Sequence, residues 1–440
     1  MKTIQRLARY LIPAGILSVT TLLSYITGLL RDRTFAHMFG AGRELDIYNT
    51  AFIVPDLMLN IFVASALSPV FTPLLSGLRA QQKHETAGHF ATTVTAAASG
   101  TISILAILVG IFMPIIAPYI APGFTVEERV QLIQMSRIIL VSPVIMAVSN
   151  SLGSILVSSK QFLWYGISPV VYNLGLICGS FLVPKMGLSG LAVGVIFGAV
   201  AHLVSRIIGI LRSGFTFGRS VNMRMSEFKQ LLKLMGPKML GHPVEQLKFF
   251  GFNRIATALA AGSVTAISFS RNFQSVPVSL FGISFAVSVF PLLAEAAAVG
   301  DRAAFKLHIK KTALSILAFT IPSTLFLLIV GDLPIKILLG GGKFVGESIT
   351  RTATALAFFS LAIPTESMIH LFARSFYALK NTTIPVIMSV TGLIISVSVA
   401  HLFSDSYGII AIPLGFFAGT FVEATLLGVL LYRRVQRLNV

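Results

Sequence analysis

The chain has 440 residues, 55% of them apolar and 11% charged, with 34 Lys and Arg against 16 Asp and Glu for a net charge of +18. A soluble protein of this length would divide into several domains, but here apolar runs and short loops consume the chain and leave no room for one. A single cysteine, Cys178, excludes an internal disulfide and a thiolate metal cluster, and cations set between apolar runs fit anionic lipid head groups, not nucleic acid.

A helix needs about 20 mostly apolar residues to cross a bilayer. Twelve stretches meet that need, at roughly 10–30, 46–76, 92–120, 132–158, 162–183, 187–211, 234–261, 265–298, 310–330, 352–373, 383–403 and 408–431. The first begins basic and then runs apolar for too long to be a signal peptide. It also lacks a small-residue cleavage site, so a retained helix is expected. Most Lys and Arg fall at the two ends or in loops on the same side, such as Lys2, Arg6 and Arg9, Arg302, Lys306, Lys310 and Lys311, and Arg433, Arg434 and Arg437. The positive-inside rule then puts both termini in the cytoplasm. The longest cytoplasmic connection, 212–233, sets Arg212, Arg219, Arg224, Lys229 and Lys233 among Phe215, Phe217, Phe228, Leu231 and Leu232. That pattern predicts a basic amphipathic segment lying on the membrane surface.

The chain repeats itself. Gly187, Gly194 and Gly198 recur as Gly408, Gly415 and Gly419 at an offset of 221 residues. Pro169-Val170 recurs as Pro385-Val386 at 216, and Pro73-Leu74-Leu75 as Pro291-Leu292-Leu293 at 218. Each match alone is ordinary for membrane helices; the shared offset is what indicates duplication. Six crossings return a chain to its starting side, so the expected fold is an all-α polytopic membrane protein of about twelve helices. Its two six-helix bundles, 1–211 and 234–440, are joined by the linker 212–233. A pseudo-two-fold along the membrane normal relates them, with a central cavity between, as in alternating-access transporters.

Ionisable groups inside a bilayer cost about 2.5–3.5 kcal/mol on insertion scales, so they face water, a partner or the interface. Arg31 and Asp32 follow the first apolar run, Asp56 follows Pro55, and Arg271 opens the eighth span. Glu366 lies in the tenth and Glu423 in the twelfth. The seventh span carries Lys238, His242, Glu245, Lys248 and Arg254 with Pro237 and Pro243. Much of that polarity shares one helical face, and the prolines predict a kinked or broken helix. Lys238 and Arg254 snorkelling to opposite interfaces, a Lys248–Glu245 pair, an Arg31–Asp32 salt bridge, and packed structural roles for His242, Glu366 and Glu423 are the plainer readings. Cations outnumber acids in the first, seventh and eighth spans, which favours an anionic substrate, and arginine favours phosphate through its planar fork. No His or carboxylate cluster has metal-ligand spacing. No Gly-x-x-x-x-Gly-Lys-Ser/Thr loop is present, so no covalent chemistry or nucleotide is expected and energy would come from an ion gradient or the membrane potential.

The stretch from Leu22 to Leu75 resembles the N-terminal signature of the MurJ (MviN) lipid II flippases, members of the multidrug/oligosaccharidyl-lipid/polysaccharide exporter superfamily. The resemblance rests on Gly28 to Asp32, on Phe39 to Gly42 followed by Asp46, and on Ala51 to Pro55. The runs VPVSLFGISFAVSVFPLLAEAA in the eighth span and FYALKNTTIPV at 376–386 add to it. It implies an inner-membrane flippase of a polyprenyl-pyrophosphate-linked cell-wall precursor, most simply lipid II, with membrane lipids and cell-wall synthesis proteins as further partners. The family's cavity arginines map onto Arg31, with Asp32 beside it, and onto Arg271; its acidic position maps onto Asp46. Other family cations are replaced, one by Tyr25 and an Arg-Arg pair by Leu59 and Asn60, and Lys238, Lys248 and Arg254 are the candidate substitutes. Positions where some members place sodium-ligating Asp hold Asn253 and Asn381. These two, with Glu245 and Glu366, are the candidates for coupling to Na+ or H+. Members usually have fourteen helices, and twelve here leave the lipid tail to an open seam between the halves or point to another substrate. The alternatives are a multidrug or polysaccharide exporter on the same fold and a transport-inactive scaffold for wall synthesis.

Overall fold

The computed structural model describes residues 2–64, 67–241 and 243–436, and side chains over 15–63, 69–235 and 244–436. His242 and the side chain of Lys238 lie outside the described residues. The described chain is nearly all helix.

The first 38-residue helix, α1 (Lys2–Phe39), stops at Gly40, whose φ of 69° is left-handed. The second apolar stretch is not one rod. It consists of α2 (Arg43–Ala51), α3 (Ile53–Leu59) and α4 (Thr72–Ala80), with π-helical turns at Asn60–Ala64 and Leu67–Phe71. A continuous α5 (His84–Ile120) follows. A capping box starts α6 (Val126–Ile139): Thr125 Oγ1 accepts the Glu128 N–H at 3.3 Å and Glu128 Oε2 accepts the Thr125 N–H at 2.8 Å. Then come α7 (Val141–Ser158), α8 (Phe162–Ser180), the short α9 (Val183–Met186) and α10 (Ser189–Ser213).

The polar seventh stretch is helical on either side of His242, as α11 (Ser226–Gly241) and α12 (Pro243–Ala258), and the expected break lies with His242 outside the described residues. The eighth is α13 (Ser263–Pro277), a π-helical turn over Val278–Ile283, and α14 (Ser284–Ala298). Asp301 caps α15 (Arg302–Val330), its Oδ1 accepting the Ala304 N–H at 2.8 Å. After α16 (Asp332–Leu338), the pair α17 (Glu347–Ser360) and α18 (Ile363–Ala378) is bent by 44°. The last helices are α19 (Thr383–Tyr407) and α20 (Ala411–Gln436).

Seven helical stretches among the described residues are long and apolar enough to cross a membrane, eight if the bent pair counts as one span. Twelve are expected from the sequence. The number differs because α19 and α20 run on as one stretch, Thr383–Gln436, through a single 3-10 turn. The second stretch is also divided by its π turns, and the first and seventh are not among those counted, the seventh being crowded with charge.

The chain forms two compact units. One contains residues Met1–Met38 and Ile47–Gln246, the other Phe39–Asp46 and Leu247–Val440. The sequence places the division at 212–233; in the structure the first unit runs on to residue 246, and the short segment 39–46 packs with the second. The first core gathers Phe71, Leu75, Phe90, Ile155 and Leu156. The second unit has two clusters, one around Phe252, Phe359 and Phe416, the other around Leu293, Phe305, Phe376 and Leu427.

The glycine repeat has the same job in each unit. Gly187 and Gly408 both adopt positive φ, 59° and 54°, at the turn before the last long helix. A side chain on Gly194 or Gly198 would collide with the α8 backbone at Gly179 or Tyr172, and one on Gly415 or Gly419 with the α19 backbone at Ser396 or Gly392. These glycines therefore bring α10 onto α8 and α20 onto α19 at backbone distance. The π turn at Asn60–Ala64 recurs at Val278–Ile283, at the 218-residue offset of the proline match.

The expected surface segment 212–233 is non-helical over its middle and helical again from Ser226, where α11 begins. Residues 214–225 contain no helix. Gly214 ends α10 with φ 66°, and the strand of chain that follows is strapped to α5. Thr92 Oγ1 donates to the Gly218 carbonyl at 3.1 Å, the Asn222 N–H donates to Thr93 Oγ1 at 2.9 Å, and His89 Nδ1 lies 3.2 Å from the Ser220 carbonyl. Backbone groups bonded to side chains of α5 are not available to a helix of their own.

Candidate functional site

In the first unit, α1 carries Arg31 and Asp32 at adjacent positions. Arg31 Nη2 and Nε both donate to Asp32 Oδ1, at 2.7 and 3.0 Å, and Nη1 donates to Asn173 Oδ1 on α8 at 3.1 Å. Asn173 in turn donates to the Ser24 carbonyl at 3.3 Å. The salt bridge is thus formed, yet the Arg31 side chain keeps 26% of its surface accessible. A second ligand can approach this guanidinium without dismantling its whole support.

In the second unit, Arg271 lies on α13 and Glu366 in the first turn of α18. Their bond is a fork: Nη2 to Oε1 at 2.6 Å and Nη1 to Oε2 at 3.1 Å. Gln274, one turn along α13 and fully buried, closes the ring. Its Oε1 accepts from Arg271 and its Nε2 donates to Glu366 Oε2 at 2.9 Å. The Arg271 guanidinium also lies 4.8 Å from the Phe416 ring centre and 5.4 Å from that of Phe249. The same Phe416 ring has Lys248 Nζ at 5.3 Å, and Lys248 is 1% exposed. Two cations on one aromatic ring, with one carboxylate among them, make a positively biased group.

The other expected residues fall elsewhere. Asp46 is fully buried. Its Oδ2 accepts the Gly262 N–H at 2.7 Å, and its Oδ1 accepts both the N–H and the hydroxyl of Thr265 at 2.8 Å. These three bonds hold the start of α13, and Arg43 stands 3.8 Å away. Asn381 caps α19, accepting the Ile384 N–H at 3.1 Å. Asn253 is buried, whereas Arg254 and Glu245 are exposed. Of the positions where family cations are replaced, Tyr25 is 61% exposed and Asn60 bonds back to the Asp56 carbonyl at 2.9 Å.

Sequence reasoning did not single out Arg206 of α10. It is 5% exposed and held by neutral oxygens: Nε donates to Ser168 at 3.0 Å, and Nη1 to the Ser149 carbonyl at 2.7 Å and Asn150 Oδ1 at 2.9 Å. The Tyr165 ring lies 5.2 Å from it. One turn earlier, His202 meets the Ser149 hydroxyl at 2.7 Å. The signal was a lone Arg and a lone His four apart inside the sixth apolar stretch. Asn173 and Gln274 gave no such signal, since neutral amides are unremarkable until their partners are known.

A family model described as lipid II flippase MurJ matches residues 35–439. The probable lipid II flippase MurJ of Rickettsia prowazekii (strain Madrid E) is 27% identical over 408 residues, spanning 91% of this chain and 79% of that protein. The lipid II flippase MurJ of Thermosipho africanus (strain TCF52B) is 27% identical over 402 residues, spanning 90% and 80%. Among solved structures, lipid II flippase MurJ in an inward closed conformation matches with a TM-score of 0.81 at 24% identity, covering 96% of this chain and 89% of that one. An inward-facing multidrug resistance MATE family transporter of the MOP superfamily matches with a TM-score of 0.80 at 14% identity, covering 97% and 98%. At those identities the structural likeness is one of fold. The family model, by contrast, covers nearly the whole sequence, and on that match the chain belongs to the lipid II flippase MurJ family.

Proposed function

We propose that this chain is an inner-membrane flippase that carries lipid II, a polyprenyl-pyrophosphate-linked cell-wall precursor, across the bilayer by alternating access. Both termini face the cytoplasm in this reading, and wall-synthesis proteins are its neighbours. The observation that carries it is the pair of partly exposed arginines, Arg31 and Arg271, each set among apolar helices and each already facing a carboxylate. A planar guanidinium matches a phosphate's oxygens as it matches a carboxylate's.

In the mechanism, Arg31 of the first unit and Arg271 of the second are each a candidate grip on the pyrophosphate while the transporter is open to the cytoplasm. Lys248 adds positive potential through the shared Phe416 ring. The substrate's charge neutralises these cations and shifts the transporter from its inward-open to its outward-open state. An elementary charge moved through 100 mV is worth about 2.3 kcal/mol, enough to bias such an equilibrium. Asp46 and Asn381 act as helix caps that fix α13 and α19, a positioning role. Arg31→Ala is expected to abolish translocation of lipid II in a vesicle assay while expression and insertion stay normal. Undiminished transport by that variant would overturn the assignment.

A further inference from the structure

Arg271 is not free to take a phosphate: its fork is occupied. Glu366 fills it with both oxygens, and Gln274 holds the two in register. Any phosphate that engages this arginine head-on must displace a carboxylate. Glu366 then loses its cation while 86% of its side chain stays out of solvent, its exposure being 14%. A carboxylate so placed favours its protonated form.

We propose, resting on the flippase reading above, that Glu366 is a proton site linked to substrate loading: phosphate takes the Arg271 fork, and the displaced carboxylate binds one proton from water. When the phosphate departs, the O–H bond of Glu366 breaks, the proton returns to water and the Arg271–Glu366 fork re-forms. No other bond changes. The proton accompanies the pyrophosphate and reduces the charge that enters the low-dielectric interior.

The surroundings fit such an exchange. Arg271 from α13 and His370, one turn along α18, are the charged or titratable groups acting on Glu366. The π turn Val278–Ile283 has no ionisable side chain, α14 has Glu295, and α15 has Arg302, Lys306, His308, Lys310 and Lys311 in its first three turns. From α20, Glu423 is bonded to Ser389 at 2.8 Å, and Tyr432, Arg433 and Arg434 lie in its last turns. The ionisable groups of α19 are His401, Asp405 and Tyr407 near its end. The location also gives the exchange mechanical reach. Glu366 is in the first turn after the 44° bend between α17 and α18. Ser367 beside it packs on Gly282 of the π turn that continues α13. The Arg271–Glu366 fork therefore ties α13, about two turns before its π turn, to the first turn of α18 after the bend.

The test is titration calorimetry of the full chain in detergent with undecaprenyl pyrophosphate, in buffers of different ionisation enthalpy, from pH 6 to 8.5. The wild type is expected to take up about one proton more per bound ligand than Glu366→Gln, and its affinity to rise by up to about tenfold per pH unit as pH falls. Glu366→Gln removes the competing carboxylate, so it is expected to bind about tenfold tighter at pH 8.5, with a flatter pH profile, and to lose translocation. Glu366→Asp, with a shorter reach to Arg271, is expected to keep the proton uptake and bind more tightly than wild type, which preserves the test if the Gln variant is unstable. Equal proton uptake by wild type and Glu366→Gln, with binding intact, would overturn the proton site and leave the flippase reading standing. No binding by the wild type would overturn both.

Discussion

Asp46 holds Gly262. Its Oδ2 takes the Gly262 N–H at 2.7 Å while Oδ1 takes both donors of Thr265, so a carboxylate from α2 serves as the N-terminal cap of α13. An anion at a helix start satisfies donors that no intrahelical carbonyl can reach. Asp46→Ala would leave those donors buried and unmet, a loss of about 3 kcal/mol, and should lower the thermal unfolding midpoint in detergent. Asp46→Asn keeps an acceptor and should lose roughly half as much. If both variants melt with the wild type, the cap contributes nothing.

Arg206 ties α10 to α7 and α8 through three neutral acceptors. A lysine there keeps the charge but cannot reach all three with a planar fork. Arg206→Lys should therefore destabilise the first unit by about 2 kcal/mol. The sole tryptophan, Trp164, lies on α8 next to Tyr165, whose ring faces this guanidinium. Its fluorescence should report the earlier melting, and an unchanged transition would show that the fork geometry is dispensable.

The strap over α5 makes a prediction about both packing and topology. Arg219 and Arg224 are exposed on it, and Thr92 and Thr93 supply two of its anchoring bonds. Replacing both threonines with valine removes about 1–2 kcal/mol of anchoring. Trypsin should then cut the strap about tenfold faster, in the regime where cleavage follows local opening. Cleavage is expected in inside-out vesicles and not in right-side-out ones. The opposite sidedness would reverse the proposed orientation.

Much of the fold was legible because membrane helices announce themselves by length and apolarity. The ranges of α5, α8, α10, α15, α19 and α20 agree with the apolar runs to within several residues. The duplicated glycines could be found because close backbone contact admits no other residue. The π turns could not, since Asn60–Ala64 and Val278–Ile283 are ordinary apolar sequence and their widened geometry is set by packing. For the site, single charges in grease pointed to Arg31, Asp32, Lys248, Arg271 and Glu366. Their pairing was open: Asp32 is adjacent to Arg31 in sequence, but Glu366 is 95 residues from Arg271. Asp46 drew attention through a family motif, and its partners on α13 lie more than two hundred residues away. In the linker, the sequence pattern did not show that Gly214 and Gly218 let the backbone lie along α5 before α11 begins.

The glycine contacts limit how this protein can move. Where α8 meets α10, and where α19 meets α20, glycines let one helix rest directly on the backbone of the other. Such helices cannot slide past each other without first coming apart, so each pair travels as a rigid body. Flexure is left to the places where the regular winding already fails: the π turns and the elbow between α17 and α18.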